Sequence, residues 1–327
     1  MMNRTWGILG VFVAMAVAFV PAAWAEEGEV TVAWSVWTGW MPFRVMDQKG
    51  FLAKRAQELG VKVKLVEFKG YLESVQAFSA GKVDACAMTS MESLQPAAAG
   101  IDAVAILVND ISNGGDGVLL RKGMTVADLK GATVLLEEFS VSHYLLARCL
   151  AMNGIDENSV TIQNTPGDEA GKAFLTDDNV KAVATWNPHL YLAVEGGKGE
   201  IVFDSTKIPG EIVDLVIANG KAIKANPKAF QALVLAWYDA MEMFTNEKTR
   251  AEAVAIMAEG AGASVEDFEK MLKGTIIYTD KANARTLLQG AEFAETMRKV
   301  SDFSVKHALI TDASAAIRID VQFIPEK

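Results

Sequence analysis

The sequence predicts an α/β fold of two lobes, and two observations carry the prediction. Short β-rich runs alternate with helical segments along most of the chain. That alternation breaks once, at the glycines Gly114, Gly115 and Gly117, and a lone strand-like run, "VDLVIAN" at 213–219, then leads back toward the first half. Strand, helix and strand in repetition imply parallel-rich sheets with right-handed crossovers, flanked by helices. Two crossings between lobes make a hinge and a cleft. The expected lobes are residues 26–115 with 217–327, and residues 116–216.

The first 25 residues stand apart from this pattern. Arg4, an apolar run from Trp6 to Val20 and Ala23-Trp24-Ala25 ahead of an acidic start read as a secretory signal cleaved after Ala25. The alternative, an uncleaved anchor, is disfavoured because the run falls short of the roughly 20 apolar residues a membrane span needs. Then "EVTVAW" alternates as a strand, "MPFRVMDQKGFLAKRAQEL" is helical, "VKVKLVEF" alternates, "YLESVQAFSAG" is helical, "VDACAM" is an apolar strand, "SMESLQPAAAG" a helix and "AVAILV" a strand. The second round runs through "VLLRKG", "ATVLLEE", "SHYLLARCLAMNG", "SVTIQNT", "GDEAGKAFLT", "VKAVATW" and "EIVFD". Beyond residue 219, "PKAFQALVLAWYDAMEMF", "EKTRAEAVAIMAEGAG" and "SVEDFEKMLKG" repeat apolar residues at helical spacing, a helical tail on the first lobe.

A net charge of −10 over 327 residues argues against a nucleic-acid partner. Cys86 lies in a strand-like run and Cys149 in a helix-like one, so two buried free thiols are expected rather than a disulfide. His143, His189 and His307 are far apart in sequence, and neither C-x-x-C nor H-E-x-x-H occurs. No metal ligand and no cofactor is therefore assigned.

Several segments together resemble a known family. "GFLAKRAQELG", "SVQAFSAGKVDACAMTS", "TVADLKGATV", "SVSHYLLARCL" and "AVATWNPHL" are similar to the periplasmic substrate-binding proteins of the nitrate, sulfonate and taurine class of ABC importers. Within that class, "SVWTGWMPF", "DISNGGDG", "TWNPHL" and "STKIPGEIVDLVIAN" resemble the subgroup associated with urea carboxylase and linked to guanidine uptake. The resemblance implies a type II periplasmic-binding-protein fold with its ligand cleft between the lobes. It also implies a monomeric, periplasmic, non-catalytic protein that hands a small molecule to an inner-membrane permease.

The residues at the predicted strand ends indicate the ligand's charge. Asp110 follows "AILVN", Glu137 and Glu138 follow "TVLL", Glu92 follows "TSM" beside Thr89, and Asp214 lies in the second crossing; arginine is absent from these positions. Carboxylates accept paired N–H donors and rings stack on a guanidinium face, so guanidinium is favoured, with urea next. Of the adjacent pair Glu138 is expected at the cleft and Glu137 away from it; Asp116 and Asp204 are expected as turn or loop acids. Ser140 sits at a strand-to-helix turn, where it caps the helix or touches ligand. Trp186 and Tyr71 project from strand tips. Among the clustered tryptophans, Trp34 is expected in the core and Trp37 on the ligand, while Trp40 either stacks or packs under the next helix. Two alternatives remain. A sulfonate, taurine or nitrate binder should bury an arginine in the cleft, and an enzyme of the thiamine-precursor type on the same fold would need a nucleophile beside a His143–Glu138 acid–base pair.

Overall fold

The computed structural model describes residues 28–326; the expected signal segment, residues 1–25, lies outside them. Twelve strands are present among the described residues: β1 Glu29–Ser35, β2 Lys62–Phe68, β3 Ala85–Thr89, β4 Ala103–Ser112, β5 Asp116–Arg121, β6 Thr133–Leu136, β7 Thr161–Asn164, β8 Ala182–Trp186, β9 Gly199–Asp204, β10 Val213–Asn219, β11 Thr275–Ile277 and β12 Arg318–Ile319. They form two sheets flanked by helices. The larger is ordered β11-β4-β10-β3-β1-β2, with β12 also on β4; the smaller is ordered β7-β6-β8-β5-β9. Strands β1, β3, β4 and β10 are buried along almost their whole length, as strands covered on both faces must be. Edge strand β2 instead alternates, with Lys62 and Lys64 turned outward, a charged edge that resists pairing with another chain.

The sheets are mixed rather than parallel-rich. Strand β1 runs parallel to β2 and β3, and β6 parallel to β7 and β8. By contrast β10 is antiparallel to β3 and β4, and β5 antiparallel to β8 and β9. A strand–helix–strand unit returns the chain to its starting end and so lays strands parallel. Three strands break the pattern: β11, antiparallel to β4, and β5 and β10, which are reached by crossing directly from one sheet to the other and enter on the side the chain has just left. This reversal places the first residues of β10 beside the last of β4, so that Asp214 pairs with Asp110 in register.

Two expected helices are shorter than predicted. The run 41–59 breaks at Gly50, whose φ of 68° is left-handed, into helices Pro42–Gln48 and Phe51–Leu59. Residues 90–93 form turns, and only Leu94–Ala98 is helical. Nor is the helical tail confined to the larger sheet. In helix Ala291–Lys306, Thr296 bonds the Gly210 carbonyl, Lys299 pairs with Glu211, and Phe303 meets the rings of His143 and Tyr144. Cys86 and Cys149 are buried free thiols. No helix among the described residues is long and apolar enough to cross a membrane.

Candidate functional site

The facing edges of the two sheets carry the candidate site. On the larger sheet, β1 ends at Ser35 and the extended Trp37 leads into a short turn of 3-10 helix, Thr38–Trp40, closed by Trp40 N–H donating to the Trp37 carbonyl at 3.0 Å. Pro42 then opens helix Pro42–Gln48, where its fixed φ suits the first turn. The end of β4 supplies Asp110 and Ser112, the start of β10 supplies Asp214, and β11 supplies Thr275. On the smaller sheet, β5 begins with Asp116 and β8 ends with Trp186.

The rings close the gap between the edges. Trp37 stacks on Trp186 at 4.4 Å with 8° between planes, and its other face stacks on Trp40 at 5.0 Å. Tyr71 meets the edge of Trp37, also at 5.0 Å. The indole N–H groups of Trp37 and Trp186 are buried without a partner. This stacked pair borders two spaces. An outer cavity of about 390 Å³ includes Tyr71, Glu137, Asp168 and His189 in its wall. An inner cavity of about 20 Å³ is walled by Thr38, Gly39, Asp110, Ser112, Asp116, Asn187, Asp214 and Thr275. A cavity needs roughly 10–15 Å³ on this measure for one water, so the inner one, closed as it is, has room for little more than one such group.

The inner cavity combines carboxylates without a counter-charge. Asp110, Asp116 and Asp214 are at most 3% exposed, and no Arg, Lys or His lines the space with them. Each has one oxygen held: Thr275 Oγ1 donates to Asp110 Oδ1 at 2.5 Å, Ser112 Oγ to Asp116 Oδ2 at 2.5 Å, and Trp40 Nε1 to Asp214 Oδ2 at 2.8 Å. The other oxygens, Asp110 Oδ2, Asp116 Oδ1 and Asp214 Oδ1, are buried and meet no donor from the chain. Burial pushes Asp110 up to about 6 against the help of Thr275, and burial with repulsion from Asp110 pushes Asp116 up to about 7. Asp214 is raised well above the carboxylate range by burial and by Asp110 and Asp116. A proton shared between Asp110 and Asp214 relieves this crowding; a bound cation would relieve it for all three.

Two glycines make the arrangement possible. A Cβ on Gly39 would stand 2.0 Å from Asp110 Oδ2, and one on Gly167 would stand 2.1 Å from the Trp186 ring. Each position is occupied by the functional side chain itself.

Of the residues singled out from sequence, Trp37, Asp110, Trp186 and Asp214 line the inner cavity, while Trp40 packs behind it and bonds Asp214. Tyr71 borders the outer space, where its hydroxyl accepts from the Thr89 N–H at 3.0 Å. Thr89 Oγ1 donates to Glu92. Glu92 does not serve its own short helix; its other oxygen accepts from the N–H of Val141 at 2.8 Å, across to the first turn of helix Val141–Met152. That carboxyl is raised by burial. Ser140 is committed to capping, accepting from the Ser142 N–H at 3.2 Å and donating to the Glu137 carbonyl. The adjacent acids stand opposite to expectation: Glu137 faces the outer cavity, pushed up to about 8 by burial and then by Glu92 and Asp168, and Glu138 turns to the far side, beside His143. Strand β6 ends at Leu136, so alternation no longer decides which of the two faces the cleft. Sequence reasoning passed over Asp116, Ser112, Thr275 and Asn187. Asp116 reads as a turn acid after two glycines, and only its pairing opposite Trp186 brings it inward.

Comparisons with known proteins place this geometry in context. A model of the family described as NMT1-like matches residues 23–258. A protein of Escherichia coli (strain K12) named for binding aliphatic sulfonates is 28% identical over 205 residues, 62% of this chain and 63% of that protein; the match thus spans less than two thirds of the relative's length. Among solved structures, the alkanesulfonate-binding protein SsuA from Xanthomonas axonopodis pv. citri, bound to MOPS, superposes with a TM-score of 0.75 at 19% identity, covering 90% of this chain and all of that one. The periplasmic aliphatic sulphonate binding protein SsuA from Escherichia coli superposes at 0.70 with 21% identity, covering 87% and 94%. The two-sheet architecture is that of the periplasmic-binding-protein fold.

Proposed function

The chain belongs to the NMT1-like family, and from that premise we propose that it is the substrate-binding component of an ABC importer whose ligand is a small planar cation, guanidinium before urea. One observation carries the choice of ligand: three buried aspartates, each with an unpartnered oxygen, line one small cavity that lacks any basic side chain. Guanidinium presents donors around its whole edge and no acceptor, so it can meet three carboxylates at once. Urea also carries an acceptor, for which the buried indole N–H groups of Trp37 and Trp186 and the Thr38 hydroxyl are unpartnered donors. Binding needs no catalytic group, and the role assigned is capture and delivery rather than turnover. The half built on the larger sheet, which takes in the whole of β10 from Val213 rather than only residues from 217 onward, and the half built on the smaller sheet then act as lobes that part for ligand entry at the Trp37–Trp186 stack and meet again over it.

The names of the sulfonate-binding relatives support a second reading, an alkanesulfonate ligand. A sulfonate would have to sit beside Asp110, Asp116 and Asp214 with those acids protonated, and no basic side chain lines the inner cavity to receive it. Calorimetric titration of the protein with guanidinium, urea, taurine and nitrate separates the readings. Guanidinium binding tightest is the expected order; tight taurine or nitrate binding with none of guanidinium would overturn the cation assignment.

A further inference from the structure

A second cluster of ligating side chains lies away from this cavity. His143, in the first turn of helix Val141–Met152, Glu157, in the turn Glu157–Ser159, and His307, closing helix Ala291–Lys306, are far apart in sequence but meet in the fold. The two imidazole rings lie 4.7 Å apart between centroids. Glu157 Oε1 is 3.7 Å from His143 Nε2 and 3.0 Å from His307 Nε2, and one ligand atom from each residue falls within 4.8 Å of the others. These three atoms are buried; His307 Nε2 lies at ion-pairing distance from Glu157 Oε1, while His143 Nε2 has no hydrogen-bond partner. His143 is only 3% exposed. A buried polar atom without a partner is costly, and His143 Nε2, aimed at the Glu157–His307 pair from just beyond hydrogen-bond distance, is relieved if something sits between the three.

We propose that His143, Glu157 and His307 form a binding site for a first-row divalent transition ion of the zinc class. Two imidazole nitrogens and one carboxylate oxygen are a borderline donor set that suits such ions, while hard cations take oxygen alone. The spacing is close to what the three must have around one ion: donors about 2.0–2.2 Å from a tetrahedral centre stand a little over 3 Å from one another, so His143 alone has to draw in. Lys306 pairs with the other oxygen of Glu157 and so fixes Oε1 toward the rings. One contact opposes the ion: His143 Nδ1 accepts from the Phe139 N–H at 3.3 Å. A ring bound through Nε2 carries its proton on Nδ1, so this long bond is given up on loading. The fourth position opens on the cavity that Glu138 also lines, leaving room for water.

The site joins two parts of the molecule. His143 and Glu157 belong to the half built on the smaller sheet, and His307 ends the helix that reaches across from the larger one. A bound ion would pin that helix in place. The test is a zinc titration of chelator-treated full-length protein against a chromophoric chelator, repeated with His307→Ala and Glu157→Gln, with circular dichroism confirming that each variant is folded. The proposal predicts one Zn²⁺ per chain, affinity weakened by about 10–100-fold or more in each variant, since loss of even an outer-shell partner has that effect, and a zinc-dependent rise in Tm seen only in the unsubstituted protein. Co²⁺ in place of Zn²⁺ should show the intense visible bands of a four-coordinate ion. Absence of binding, or binding that both substitutions leave unchanged, would overturn the assignment.

Discussion

On the proposed reading, Asp116 serves binding at the expense of stability. Its carboxyl is buried with no positive partner and is raised to about 7 from an ordinary 3.8. For a carboxyl raised on folding, the stability contribution is fully present below the unfolded value and is lost as pH rises through the folded one. The unliganded protein should therefore lose stability between about pH 4 and pH 7, with Asp110, raised to about 6, adding to the same slope. Cation binding has the opposite dependence, because it requires the charged form, so guanidinium affinity should rise over the same interval. Asp116→Asn separates the two effects. It should weaken guanidinium by about 2–5 kcal/mol, the usual cost of removing one partner of a buried charge pair, while raising the Tm of the unliganded protein at pH 8 and flattening its pH dependence. Calorimetry and thermal melts at pH 5 and pH 8 read both; a variant that binds normally, or melts lower at pH 8, would contradict this role. Little of it is legible in the sequence, where an acid after Gly114-Gly115 is indistinguishable from a turn residue. Trp37 and Asp214 are easier to single out, since a ring in a post-strand turn and an acid flanked by apolar residues each need a special reason.

At the scale of elements, the strand runs are legible because apolar residues repeat with the strand period, and helix ends because glycine and proline mark them. Strand direction is not. Nothing in "VDLVIAN" says that it runs antiparallel to both neighbours, yet that reversal brings Asp214 opposite Asp110. Helix Gly167–Thr176 shows a similar dependence of site on element. Its first residue lies under the Trp186 ring, and a Cβ there would stand 2.1 Å from the ring carbon Cη2. Gly167→Ala should displace the ring and open the Trp37–Trp186 stack, costing about 1–3 kcal/mol of stability as an overpacking change does. Guanidinium affinity should fall by more than tenfold while the circular dichroism stays that of a folded α/β protein. Unchanged affinity would mean that Trp186 has no part in holding ligand. The pairing of His143 with His307 is likewise invisible from the sequence, since it depends on how far the helix Ala291–Lys306 reaches over its neighbour.

Across the whole molecule, strand ends of the two sheets face one another, and acids of both line the space between them. Asp110 and Asp214 come from the larger sheet and Asp116 from the smaller, so a ligand that satisfies all three also bridges the two halves. On the proposed reading, ion binding and closure would be one event, with the tryptophan stack as the outer wall. Such coupling is what a protein needs if it is to present its ligand only when loaded. The sequence indicates two halves joined twice and an excess of acid over arginine; the convergence of three carboxylates on one small space appears only when the edges are brought together. The most direct test is the crystal structure of the protein grown with guanidinium. We expect a flat ligand in the inner cavity, donating to Asp110 Oδ2, Asp116 Oδ1 and Asp214 Oδ1, with Trp37 and Trp186 closed over it. A cavity left to water, or an anion held there by protonated carboxyls, would contradict it.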